Sequence, residues 1–145
     1  LLKYNYTGPL KYYYPLSIYL SASTFLPSEP WFVKGNMIVV SGSSQPAWSS
    51  PDVFLPPGEY KLTIFMESAS NSSSDVFIVS IMADDLTKLL YAYDISGSSL
   101  KPGWNNVTVT FNIQKVYKNI VITGYIDKWQ GDLTFKGVYI DQASY

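Results

Sequence analysis

The 145-residue chain contains no cysteine, no histidine and no arginine. The lack of cysteine rules out a disulfide framework, a thiolate metal site and a thiol nucleophile. The lack of histidine removes the usual general base and the commonest transition-metal ligand. All ten basic residues are lysines, scattered singly against eleven acids for a net charge of -1. Nucleic acids are recognised by arginine forks and basic patches, so the composition predicts no nucleic-acid partner. No run reaches the roughly 20 apolar residues of a membrane span, so no transmembrane segment is expected within this chain. Helical spacing is never sustained over three turns, and residues 84–90 offer one turn at most.

What is present is short-period alternation. A Pro56-Pro57-Gly58 turn launches a run in which Tyr60, Leu62, Ile64 and Met66 alternate with Glu59, Lys61, Thr63 and Phe65. That pattern is a strand with one buried face. Residues 106–113 repeat it cleanly: Val107, Val109, Phe111 and Ile113 point one way, and Asn106, Thr108, Thr110 and Asn112 the other. Residues 12–20 read as a first strand with Leu16, Ile18 and Leu20 on one face and Pro15 marking an edge. Met37-Ile38-Val39-Val40 and residues 76–83 are nearly continuous apolar runs, the first expected to be buried on both faces. Leu89, Tyr91, Tyr93 and Ile95 share a face, and residues 120–126 and 133–141 complete the set. In the last run the apolar period slips by one at Lys136-Gly137, which predicts a β-bulge. Residues 42–51, rich in Ser, Gly and Pro, read as a long surface connection, and residues 127–132 as a turn.

About nine short strands without a helix predict an all-β, antiparallel β-sandwich, with a jelly roll favoured over an immunoglobulin-like arrangement that lacks its Cys-Trp-Cys signature here. The length fits one domain spanning residues 1–145. The chain opens at Leu1 without a Met, which predicts a piece excised from a larger protein, extracellular or at the cell surface, with any anchor outside it. Sequons at Asn5, Asn71 and Asn106 are candidate glycosylation sites of such a surface glycoprotein.

Three pieces, Ser50-Pro-Asp-Val-Phe-Leu-Pro-Pro-Gly-Glu-Tyr60, Pro102-Gly-Trp-Asn-Asn-Val-Thr-Val109 and Phe135-Lys-Gly-Val-Tyr-Ile-Asp141, resemble the galactose-binding-like jelly rolls used as carbohydrate-binding modules and accessory domains. The resemblance spans residues 50–141 and implies a non-catalytic module with a glycan or cell-surface partner. The Arg and Glu that such modules often use for sugar and calcium are missing or out of place in this sequence.

Strand parity places the loops at 68–75, 96–105 and 127–132 at one end of the sandwich, so Trp104 and Trp129 are expected to share that end. Two indoles at a tip form a candidate platform for sugar faces, and Tyr125 and Tyr139 are candidate sheet-face contacts. The competing reading is that Trp104 and Trp129 plug the end of the core, and that Trp31 and Trp48, in Pro-rich connections, are lids over it. Asp84, Asp85, Asp127 and Asp132 are the oxygen donors on offer to a calcium ion, but without Asp-x-Asp-x-Asp spacing, so no cofactor is expected. Glycosidase chemistry needs two carboxylates roughly 5–10 Å apart, whereas Glu59 and Glu67 lie about 26 Å apart along one strand. No enzyme activity is expected. The alternative to a sugar-binding module is a structural building block of a surface layer, pilus or virion acting through protein contacts.

Overall fold

A computed structural model describes residues 16–144 of the chain. Nine strands carry the described residues: β1 (Ser17–Ser21), β2 (Leu26–Pro27), β3 (Val33–Lys34), β4 (Met37–Ser49), β5 (Gly58–Ser68), β6 (Val76–Ala83), β7 (Lys88–Ser96), β8 (Trp104–Ile113) and β9 (Ile120–Ser144). The only helical turns among them are three-residue 3-10 segments at Ala22–Thr24, Pro30–Phe32 and Gly97–Ser99. All pairings are antiparallel, and the architecture is the expected jelly-roll sandwich.

Two strands belong to both layers. The second half of β9 pairs with β1, with the start of β4 and with β5, and β5 pairs with β8, making one sheet. The first half of β9 pairs with the end of β4 and with β6, which pairs with β7, making the other. Residues 42–49 are therefore strand, not the surface connection their composition suggested. Gly42, Ser43 and Ser44 are exposed, but β9 captures the backbone of the segment, and a ladder overrides local propensity. Nor do residues 127–132 end a strand. Val40 pairs with Leu133 and Gly42 with Trp129, so Gln130, Gly131 and Asp132 bulge out where β9 passes between sheets, with Gly131 at φ 74°.

The alternation of β5 is observed as predicted: Tyr60, Leu62, Ile64 and Met66 are all buried. A one-residue slip would expose all four. At about 1.5–3 kcal/mol per side chain that costs roughly 6–12 kcal/mol, comparable to the whole stability of a domain. β6 supplies Phe77, Val79 and Ile81 from the facing sheet, and β8 adds Phe111 and Ile113 with Val107 and Val109 packed partly against them. Met37 and Val39 are half-buried, so the run at 37–40 has one buried face instead of two. Leu89 is exposed because a register shift between Ile81 and Met82 turns it away from Tyr91 and Tyr93.

The bulge predicted at Lys136-Gly137 is present: Phe65 pairs with Gly137 and Met66 with Phe135, leaving Lys136 unopposed. Gly137 sits at φ 145°, and a Cβ there would lie 2.6 Å from the Leu20 carbonyl oxygen. A second glycine is required by packing. At Gly124 a Cβ would meet Phe77 at 2.6 Å and Trp48 at 2.8 Å. Into that space goes Trp48, which is no lid: it is core, stacked on Phe135 at 4.2 Å and edge-on to Phe25 at 5.2 Å. Trp31, the other expected lid, is 66% exposed.

Where the sandwich opens between β7 and β8, two phenols close it. Tyr91 and Tyr93 stack with their rings parallel, and their hydroxyls donate to the carbonyls of Asn112 and Thr110 on the outer edge of β8. Burial pushes the Tyr93 phenol above its ordinary pKa, and Tyr91 beside it adds to the shift.

Candidate functional site

The three segments predicted to meet at one end do meet there, although residues 127–132 are a bulge within β9 and not a loop. The Trp129 indole donates to Ser68 Oγ at 2.9 Å, Ala69 N donates to the Asp132 carbonyl at 2.9 Å, and Gly97 N donates to the Asp75 carbonyl at 2.9 Å. Asp75, fully buried, also accepts from Gln130 N at 3.0 Å. Trp104 is at this end as well, paired with Glu67. The tip platform nevertheless fails, because Trp129 is 2% exposed. Its ring fills the space under the bulge where β9 changes sheets, and its one polar atom is bound by Ser68.

The exposed aromatic surface lies elsewhere, on the outer face of the first sheet. Side chains alternate across a strand, so the residues between the buried positions of β1, β9, β5 and β8 face outward together. Tyr19 stands directly across from Tyr139, with ring centroids 4.7 Å apart. Phe65 meets Tyr139 edge-on at 5.5 Å. Trp104 follows on β8, two residues along from Asn106, the partner of Phe65. Tyr19, Tyr139 and Trp104 are 49%, 40% and 44% exposed. The four rings run diagonally over four adjacent strands, a lateral span of about 14 Å at the usual strand spacing.

Polar groups border this row. Ser17 Oγ donates to Asp141 Oδ1 at 2.6 Å on the β1 side, and Lys61, Thr63 and Thr108 lie on the same face. The bulge projects Lys136, whose Nζ lies 5.1 Å from the Trp104 ring centroid. Rings that present flat apolar surface beside hydroxyls, a carboxylate and ammonium groups suit a ligand that is apolar on one face and rich in hydroxyls at its rim.

Of the predicted site residues, Tyr139 and Trp104 fall within the row. Tyr125 does not. It pairs with Ile78 on the outer face of the second sheet, where it lines a shallow depression of about 210 Å³ with Leu26, Pro46 and Thr123. Tyr19 and Phe65 were missed, although each is an aromatic in the outward phase of an alternating strand. That signal was legible; the pairing order that brings them beside Tyr139 was not.

The four candidate metal ligands are separated. Asp127 and Asp132 are exposed where β9 crosses between the sheets. Asp84 and Asp85 sit at the β6–β7 turn, at φ 53° and 57°. There Lys118 Nζ lies 2.6 Å from Asp85 Oδ2, Asn119 Nδ2 donates to Asp85 Oδ1 at 2.8 Å, and Lys88 Nζ lies 3.5 Å from Asp84 Oδ2. The Lys118 hydrogen bond, then that of Asn119, holds the Asp85 carboxyl below its ordinary pKa. A cation would have to displace Lys118. Among the described residues no three of His, Cys, Asp and Glu come together. Asn71 and Asn106 are both exposed; Asn5 lies outside the described residues.

The fold is a jelly-roll β-sandwich, and in shape it is similar to solved carbohydrate-binding modules. Neither a protein-family model nor a curated protein sequence matches the chain. Solved structures do match in shape. The xylan-binding module CBM15 superposes with a TM-score of 0.59 at 15% identity, over 90% of this chain and 98% of that one. The C-terminal CBM6 of LamC, a laminarinase from Zobellia galactanivorans, superposes with a TM-score of 0.54 at 15% identity, over 87% and 99%. A CBM6 module of lichenase 5A from Cellvibrio mixtus, solved with cellotriose, gives 0.51 at 9% identity, over 88% and 87%. Among the described residues no helix is long and apolar enough to cross a membrane.

Proposed function

We propose that the chain is a non-catalytic carbohydrate-binding module of a larger extracellular or cell-surface glycoprotein, and that it binds its glycan on the outer face of the first sheet. The carrying observation is the row Tyr19, Tyr139, Phe65 and Trp104, in which Tyr139 touches both Tyr19 and the half-buried Phe65, while Tyr19, Tyr139 and Trp104 are open to solvent. A pyranose ring presents an apolar C–H face that stacks on such rings, and its rim hydroxyls reach Lys61, Thr63 and the Ser17–Asp141 pair. The shape shared with solved carbohydrate-binding modules supports this reading. Asn71 and Asn106 are its acceptors for N-linked glycans.

The test is calorimetric titration against a broad glycan panel that includes xylan and cello-oligosaccharides, with the parent and with Tyr19→Ala and Tyr139→Ala. Each substitution removes a central aromatic contact, so affinity falls roughly 5- to 30-fold, about 1–2 kcal/mol. No binding by the parent, or binding that both variants retain in full, overturns the proposal.

A structural building block is the second reading. It draws on Trp31, 66% exposed just before β3, and Val33, 47% exposed within it. Sedimentation distinguishes the two: self-association lost with Trp31→Ala supports the building block, and a monomer at high concentration supports the sugar module.

A further inference from the structure

We infer that Asn106 is a glycosylation site built into β8, and that the first sugar attached there packs on Trp104. The inference rests on the glycoprotein reading above and adds where the attached sugar lies. Trp104, Asn106 and Thr108 form the run Trp-x-Asn-x-Thr, in which the acceptor, its hydroxyl partner and an indole are spaced two residues apart. On a strand that spacing puts all three on one face, with neighbours about 6.6 Å apart. The register confirms the face: Trp104 pairs with Glu67, Asn106 with Phe65 and Thr108 with Thr63.

The two neighbouring asparagines are used differently. Asn105 is fully occupied: its side chain accepts from Lys101 N at 2.9 Å and donates to the carbonyls of Lys101 and Gly103 at 2.9 and 3.0 Å. Asn106 is exposed, and its amide makes no hydrogen bond within the described residues. It lines an open cleft of about 470 Å³ together with Trp104, Lys101 and Leu100. The Trp104 ring remains 44% exposed even with Lys136 close to it. An N-acetylglucosamine-type sugar on Asn106 Nδ2 would find that ring two residues back and the Phe65 ring directly across, both on its own side of the sheet. Asn71 lacks this setting, since the residue two before it is Ala69. In the glycosylated protein Trp104 therefore serves the protein's own glycan, and Tyr19 and Tyr139, with the side of Phe65 that meets Tyr139, remain for an external one.

The test is expression of the full chain in a host that glycosylates Asn-x-Ser/Thr, as parent, Trp104→Ala, Asn106→Gln and the double variant. Intact mass and glycopeptide analysis read occupancy, and calorimetric melting reads packing. The expected result is a sugar on Asn106 that raises the melting temperature by about 2–4 °C over Asn106→Gln, with that increment lost in the Trp104→Ala background. An unmodified Asn106 overturns the glycoprotein reading at this site and the inference with it. A modified Asn106 whose increment survives Trp104→Ala overturns the packing alone.

Discussion

Replacing Trp129 by alanine separates the packing argument from any role in binding. The indole is 2% exposed, and its Nε1 donates to Ser68 Oγ at 2.9 Å. It sits where β9 leaves one sheet for the other, so no strand can slide into the space it vacates. A buried Trp→Ala change costs about 3–5 kcal/mol through lost transfer energy and a residual cavity. Domains of this size carry about 5–15 kcal/mol in total. With each kcal/mol worth about 2–4 °C, the melting temperature should fall by roughly 6–20 °C. Trp129→Phe keeps most of the volume and loses the hydrogen bond, for a drop of about 3–6 °C. Differential scanning calorimetry of the three proteins, with urea midpoints alongside, reads both numbers. An alanine variant melting within about 2 °C of the parent would show that the indole is not packed as described.

Two further perturbations test other parts of the fold. Gly124→Ala places a Cβ 2.6 Å from Phe77 and 2.8 Å from Trp48, both inside the aromatic core. Overpacking of this kind costs about 1–3 kcal/mol, and a urea midpoint unchanged from the parent would contradict the core arrangement. The phenol of Tyr93 has its pKa raised by burial and by Tyr91. The unfolded chain therefore loses this proton first, near pH 10, while the folded chain retains it. Its contribution is complete below that pH and is lost as pH rises through the folded value. The parent should accordingly lose more of its urea midpoint between pH 8 and 11 than Tyr93→Phe does, and equal losses would refute the seal on β8.

The readable parts of this fold are those where one strand's own pattern decides the outcome. Alternation fixes the faces of β5 and β8 because burying Leu62, Ile64 and Phe111 outweighs every local preference. The slip at Lys136-Gly137 is visible because a bulge must break the period. What could not be read depends on a partner strand. Residues 42–49 look like a loop by composition, and only the ladder to β9 makes them strand. Trp129, among polar neighbours, reads equally as a tip ring or a core plug, and only the crossing of β9 turns it inward. The candidate site shows the same division. The outward phase of Tyr19, Phe65 and Tyr139 is written in β1, β5 and β9 separately. Their contact follows from β9 lying between β1 and β5, which no single segment encodes.

The most direct measurement is heteronuclear NMR titration of the module with a bound glycan, following the aromatic resonances. Perturbations should centre on Tyr19, Phe65 and Tyr139, leave Tyr125 on the opposite sheet unmoved, and vanish in a Tyr19→Ala, Tyr139→Ala double variant that melts like the parent. Shifts confined to Tyr125 or to the loops at 68–75 and 96–103, with the aromatic row silent, would contradict a sugar site on the first sheet.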